Sequence, residues 1–382
     1  MSIKKNVHTI NRVYDLVKAG SLTYDNSNDP PAILYTWGSN SNGQLGQNDR
    51  VNRSSFVQIP GTNWSATAKH LGGERARGVI KCDGSLWVWG MNQSGFLGLG
   101  VDQYSIQGRS SPVEVGGTTW CSINFSGNKA YAMKTDNTFW VWGYGSTSFS
   151  MALGLGSPCR DICSPTQLSG TDYCYGRGLG SGASGWLKTN GTLYTAGYSQ
   201  FGQLGYGTRG TAAVSPTQVP GTTWSTLSGS NGGTALKTDG SLWTWGLNYS
   251  GQLGINVSNP SLSSPNQVPG TWIYADNEAN TIFAIKSNGT MWGWGESNIG
   301  NNTAVSGVSS PIQIPGTNWV CAHSGDGWRL AKKSDGTYWM WGNANNLPFS
   351  NGISYSSPIQ LPGTNWYSPV GGCDGSGMIF QK

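Results

Sequence analysis

Charge is what this 382-residue chain has least of: Asp, Glu, Lys and Arg together make up only 11% of it. A net charge of +5 spread over that length is too diffuse for a nucleic-acid stripe, so no nucleic acid is expected as a partner. Histidine is scarcer still, with His8, His70 and His323 alone. There is no Gly-x-Ser-x-Gly elbow, phosphate loop or His-Glu-x-x-His pair, so the chain reads as a non-enzyme with no cofactor and no metal site. No apolar run approaches the roughly 18 residues that membrane insertion requires. Met1 to Asn6 carries two lysines with no apolar segment after them, so no export signal is expected. The seven cysteines are odd in number and out of step with the repeat described below, which argues for free thiols in a reducing compartment. Cys159, Cys163 and Cys174 lack a matching ligand pair for zinc.

What the chain has in quantity is tryptophan, 19 residues, and glycine, 58 residues. So many large aromatics with so little charge exclude disorder, and short strand patterns punctuated by Gly and Pro argue for all-β. The most legible stretch runs from Leu236 to Gly254. It reads as a strand, an Asp239-Gly240 turn, a second strand Leu242-Trp-Thr-Trp-Gly246 and a Gly-Gln-Leu-Gly bend. Asp-Gly between alternating apolar runs predicts a type I′ hairpin, with positive φ at both turn residues.

The Trp-Gly strand recurs seven times, ending at Gly38, Gly90, Gly143, Gly197, Gly246, Gly295 and Gly342. The spacing of about 50 residues is that of propeller blades. Each unit supplies four strands: A beginning at Thr-x-Trp, B ending at Lys, C ending at Trp-Gly, and D carrying Ser-Pro. Proline places D at the outer edge, since it cannot donate to a central ladder. The order starts with C and D at 34–38 and 55–60 and ends with A and B at Ile379 to Lys382. The first and last segments are therefore expected to share one blade, closing a single seven-bladed β-propeller over residues 33–382 and removing its open edge. Residues 1–32 form a separate N-terminal arm, with Ile10, Val13, Tyr14 and Val17 on one face of a short helix that must dock, either on its own propeller or on a partner assembly.

Antiparallel alternation then sorts the connections. The A–B and C–D loops fall on one face and vary; the B–C turns and D–A links fall on the other and are nearly uniform. Loops on a rigid scaffold are where binding concentrates. The candidate anchors on the variable face are Arg50, Arg53, Phe96, Tyr104, Arg109, Tyr144, Phe149, Arg160, Tyr198, Phe201, Tyr206, Arg209, Tyr249, Phe349 and Tyr355, residue types enriched at interfaces. On the uniform face a lysine precedes each turn (Lys81, Lys134, Lys188, Lys237, Lys286, Lys333, Lys382), solvated or locally paired, with an anion-facing ring as the rival reading. The strand C tryptophans are expected to pack between blades, and Ala196 breaks that series, which predicts a looser contact or a compensating neighbour. His323 is read as structural.

The ordered set Ala-Leu-Lys-Thr-Asp-Gly-Ser-Leu-Trp-Thr-Trp-Gly, followed by Asn and Gly-Gln-Leu-Gly, resembles the regulator-of-chromosome-condensation repeat family of seven-bladed propellers. The resemblance covers residues 33–382, and its Pro-Gly-Thr-x-Trp style is similar to bacterial and phage members. It implies the fold. For function it implies a non-enzymatic protein-interaction or structural module, since family members include an exchange factor, a secreted enzyme inhibitor and virion components. The phage-like style and the N-terminal arm favour a tail- or capsid-associated virion component assembled in the host cytoplasm, with virion proteins as partners and a host glycan or receptor as a further class. The alternatives are an extracellular adhesin or inhibitor and a guanine-nucleotide exchange regulator, although no basic nuclear-targeting tail or wedge-like insertion is present.

Overall fold

The computed structural model describes residues 31–381 except 67, 72, 74, 103, 105, 146–151, 157–160, 171, 181, 279, 297, 303–306, 326, 350, 351, 364 and 371–375. The expected arm with Ile10, Val13, Tyr14 and Val17 lies outside the described residues, as do Phe149 and Arg160. The first strand begins at Pro31, two residues earlier than the expected propeller start at 33.

Seven antiparallel sheets form the ring of a seven-bladed β-propeller. In the closing blade, strand C (Pro31–Gly38) pairs with strand B (Ser376–Gln381), placing Ile33 opposite Gln381 and Gly38 opposite Ser376. Strands D (Arg53–Gln58) and A (Trp366–Val370) flank them. The two termini of the propeller thus share a sheet, and the ring has no seam held by side chains alone. In the fifth blade strand A is reduced to bridges, Trp224 with Lys237 and Ser228 with Thr234. In the second it meets strand B at the Trp64–Lys81 bridge, while Trp64–Ser65 pairs with Pro31–Ala32 of the first blade and Lys69–Leu71 runs parallel to Ser122–Asn124 of the third. D is outermost in every blade, as proline requires in the six that carry one, and neighbouring A strands touch around the axis.

The B–C hairpins depart from expectation. Of Asp239 and Gly240 only the glycine takes positive φ, at +81°. Gly240 N–H donates to Lys237 O at 3.0 Å and Lys237 N–H to Ser241 O at 2.9 Å, a three-residue loop whose last residue is left-handed. The aspartate is used differently: its Oδ1 accepts from Ser241 N–H at 2.8 Å and from Ser241 Oγ at 2.6 Å. Asp83, Asp136 and Asp335 repeat this cap, and in each the Ser or Thr hydroxyl bond leads in holding the carboxyl below its usual pKa.

The core lies between blades, not within them. One buried cluster joins Leu193, Leu204 and Val219 of the fourth blade to Trp224, Ala235 and Trp245 of the fifth; six similar clusters serve the other contacts. The second strand C tryptophan is the knob at six of the seven. Its indole N–H donates to a loop carbonyl of the preceding blade: Trp89 to Gln44, Trp142 to Phe96, Trp245 to Gln203, Trp294 to Gln252, Trp341 to Asn298 and Trp37 to Asn346, at 2.8 to 3.1 Å. The last glycine of Gly-Gln-Leu-Gly lies flat on that ring; a Cβ on Gly205 would stand 2.7 Å from Trp245. At the exception, Ala196, strand B supplies the missing volume. Trp186 stands where Ala132, Ala235, Ala284 and Ala331 stand in other blades, and it is fully buried. Of the two expectations for Ala196, compensation is the one observed.

Candidate interaction face

Backbone bonds confirm how the loops divide. In six blades the residue after the last glycine of strand C donates to the neighbouring A–B turn: Met91 to Arg75, Tyr144 to Asn128, Tyr198 to Gly182, Leu247 to Asn231, Glu296 to Asn280 and Asn343 to Gly327. The A–B and C–D connections therefore meet on one face. On the other, B–C turns bond the D–A links, as in Trp272 N–H to Gly240 O at 2.8 Å. The C–D loops are not slack. In three of them a buried Asn is a staple: Asn248 Oδ1 accepts from Leu253 N–H and its Nδ2 donates to Val257 O, and Asn40 and Asn92 repeat the pattern.

The candidate anchors separate on this framework. Phe96 is not one: it is 1% exposed and packs edge-on against Phe125 between the second and third blades, because it fills the core position of its Gly-Phe-Leu-Gly bend. Arg109 is not on a loop either; it lies in strand Gly108–Val115, opposite Gly90, and is half-buried. Arg53 opens strand D and pairs with Asp49. Tyr144, Tyr198 and Tyr206 are half-buried, and Phe349 and Tyr355 are half-buried against the cluster around Trp37. What projects is a smaller set. Tyr104 is 88% and Tyr249 60% exposed, with Phe201 edge-on to Tyr249 at 5.7 Å between centroids; Arg50 and Arg209 are exposed as well. Between the first two C–D loops a hollow of about 320 Å³ is lined by Asn42, Arg50, Met91, Gln93, Tyr104 and Gln107.

Sequence reasoning missed a buried polar cluster at the axis. Its members sit four or six residues after the start of successive A strands, a period visible only once the strands are aligned. Arg177 of the fourth blade reaches Glu278 Oε1 at 3.2 Å and Asp276 Oδ1 at 3.5 Å, both on the sixth. Ser228 of the fifth donates to Asp276 Oδ1 at 2.6 Å, and His323 Nδ1 of the seventh lies 3.6 Å from Asp276 Oδ2. Four blades are thereby joined. Burial works against the Asp276 carboxylate, but the His323 bond and the Arg177 charge outweigh it and hold the group at about 2. Burial, then the Asp276 charge, push Glu278 up to about 7. Burial opposes the His323 charge, yet its bonds to Asp276 and Cys321 raise it to about 10. The expected neighbour Asp326 lies outside the described residues.

These shifts fix signs. Asp276 contributes stability that is lost as pH falls through about 2. Glu278 is protonated in the folded chain and ionised in the unfolded one between 4.5 and about 7, so stability falls as pH rises across that window. His323 contributes stability present below 6.5 and lost as pH rises through about 10. We expect urea midpoints to decline from pH 5 to pH 9, and Asp276→Asn to flatten that decline. A wild-type curve no steeper than the variant's would remove the cluster as its cause.

The turn lysines are locally engaged, not a bare ring of charge. Each described one sits between the strand A aromatic and the first strand C aromatic of its own blade: Lys286 Nζ is 5.0 Å from Trp272 and 4.2 Å from Trp292, and Lys81, Lys134, Lys237 and Lys333 repeat this with other tryptophan pairs. Lys188 uses Tyr173 and Tyr194. Such contacts stabilise by about 0.5–1 kcal/mol at exposed sites.

A profile described as Regulator of chromosome condensation (RCC1) repeat matches residues 33–65 and 239–272. Both segments hold strands C and D, the first running into Thr62-Asn63-Trp64 and the second into Thr271-Trp272. Those two segments are similar to RCC1 repeats. The chain also aligns with curated proteins: with the ultraviolet-B receptor UVR8 of Arabidopsis thaliana at 28% identity over 179 residues, 46% of this chain and 39% of that protein. A secretion-regulating guanine nucleotide exchange factor of Bos taurus is 40% identical over 70 residues, 18% of this chain and 15% of that protein. The chain therefore spans less than half the length of the curated relatives it matches. Among solved structures, Prp20p of Saccharomyces cerevisiae superimposes with a TM-score of 0.77 at 16% identity, covering 92% of this chain and 91% of that one, and the human protein WBSCR16 with 0.78 at 16%, covering 92% and 99%. Those likenesses are of fold.

Proposed function

We propose that this propeller is a non-enzymatic protein-interaction module that takes its partner on the variable face. The observation that carries the reading is exposed Tyr104 and Arg50 at the hollow between the first two C–D loops, with exposed Tyr249 on another C–D loop of the same face, each loop stapled from beneath. Large aromatics and arginine on rigid loops bind at low entropic cost. The scaffold beneath supplies rigidity and the loops supply identity. Prp20p, of like fold, is known for binding Gsp1p and histones, which is consistent with a protein ligand here. The test is affinity purification of wild type against Tyr104→Ala/Tyr249→Ala, with Lys237→Gln on the opposite face as control. We expect a defined partner lost about tenfold or more in the double variant and kept in the control. Equal retention by all three would sink the proposal.

The setting we propose is an assembled virion, supported by the repeat style and tested by copurification with particles. A second reading, nucleotide exchange, is favoured by the bovine relative's name; faster nucleotide release from a small GTPase would establish it.

A further inference from the structure

The grooves between neighbouring blades, running from a C–D loop to a B–C turn lysine, are built from one plan but differ in charge. Between the fifth and sixth blades a groove of about 430 Å³ is lined by Asn256, Gln267, Trp272, Lys286, Trp292 and Ser310. Between the second and third, one of about 410 Å³ has Glu114, Trp120, Lys134, Trp140 and Ser164 at the corresponding places. Both are of a size that takes a small ligand.

Five of the six described turn lysines have a carboxylate at hand. Asp83, Asp136, Asp239 and Asp335 sit two residues after Lys81, Lys134, Lys237 and Lys333, and each feels that lysine's charge. Asp172 Oδ1 lies 3.1 Å from Lys188 Nζ. Lys286 departs from this. Its turn holds Asn288, the Asp172 place has no acid, and Gln267 replaces Glu114 on the groove wall. Among the described residues no carboxylate pairs with Lys286, whose ammonium rests only on the Trp272 and Trp292 rings. A cation held on aromatic faces keeps its capacity to bond an anion, and the groove wall adds two kinds of neutral partner. The amides of Asn256 and Gln267 and the hydroxyl of Ser310, which donates to Asn256 Oδ1 at 2.9 Å, can exchange hydrogen bonds with ligand hydroxyls. One unmatched positive charge, the partly exposed indole of Trp292 and several amides describe a ligand with one negative charge, an apolar ring face and many hydroxyls.

We propose that the groove between the fifth and sixth blades binds an acidic saccharide, a pyranose carrying a carboxylate, with Lys286 pairing the carboxylate and Asn256, Gln267 and Ser310 bonding the hydroxyls. Its Lys286 end lies at a uniform-face turn while Asn256 comes from a C–D loop, and it does not depend on the partner proposed for Tyr104 and Tyr249.

Calorimetric titration of the full chain with a galacturonic acid trimer, beside the neutral galactose trimer, tests it. The uronate is expected to bind, and the neutral sugar about tenfold or more weaker, because a charge-assisted bond is lost. Asn288→Asp restores the turn carboxylate found in four other blades, so it should fold normally and weaken uronate binding several-fold. Lys286→Gln should remove binding, while Lys134→Gln, at the acid-lined groove, should leave it unchanged. No uronate binding, equal binding of the neutral trimer, equal loss in both lysine variants, or equal binding of a hexaglutamate peptide would each overturn the proposal.

Discussion

Trp186→Ala is expected to destabilise the propeller by about 3–5 kcal/mol, as large as any single truncation in the ring. The side chain is fully buried in the contact between the third and fourth blades, against Phe139, Tyr173 and Ala196, so its removal leaves a cavity that rigid sheets on both sides cannot close. The position is informative because the fold itself offers the repair. Six blades put the indole on strand C, and the fourth puts it on strand B with alanine at the strand C place. Trp186→Ala combined with Ala196→Trp should therefore recover most of the loss. The recovered indole could do one thing Trp186 does not. Trp186 Nε1 is buried without a hydrogen-bond partner, whereas the strand C indoles donate across the contact. An unmet buried donor costs about 1–3 kcal/mol. Denaturant midpoints of wild type, the two single variants and the double variant measure this directly. If the double variant is no more stable than Trp186→Ala, the two positions are not interchangeable and the compensation is only apparent.

This exchange marks the boundary of what can be read without a structure. The ring, the closure and the division of the loops were legible because they follow from element order and alternation, both of which survive substitution. Trp245 and its counterparts were legible as inter-blade packing because the motif repeats. Trp186 was not, since it lies one strand away from where the repeat would put it. Phe96 and Arg109 were misplaced for a related reason. A loop is delimited in sequence by what lacks strand pattern, yet Phe96 occupies the core position inside its bend and Arg109 already belongs to the next strand. The axial cluster was hidden more deeply. Arg177, Ser228, Asp276 and His323 are each polar residues in otherwise unlike A strands, spaced about 50 apart, and only closure of the ring brings them within bonding distance. The turn lysines showed a charge but not its environment, because the two aromatics that hold each one come from different strands.

Deleting residues 376–382 should abolish folding of the ring outright. Three side chains of that strand, Met378, Ile379 and Phe380, are fully buried, two of them against the second blade and one against the seventh. Burial of such side chains stabilises by about 1.5–3 kcal/mol each, and a domain's whole stability is only about 5–15 kcal/mol. The deletion also strips strand Pro31–Gly38 of its ladder on one side, exposing a paired edge as a free one. The expected result is aggregation or a molten product with no cooperative unfolding transition. Because such a loss could be ascribed to missing core alone, a permuted chain separates the causes. Gln381 lies opposite Ile33, so a three-residue Asp-Gly loop of the kind found in the other blades can join the two strands, with the chain reopened in the link at 59–63. This chain loses only buried Ala32 and its pairing with Trp64, keeps the ladders of the shared blade, and moves the seam to a position between blades. It is expected to fold with the same circular dichroism spectrum but to unfold at lower denaturant, since the interlock that sequence order provides is gone. Equal stability of the permuted and native chains would show that the shared blade adds nothing beyond its contacts.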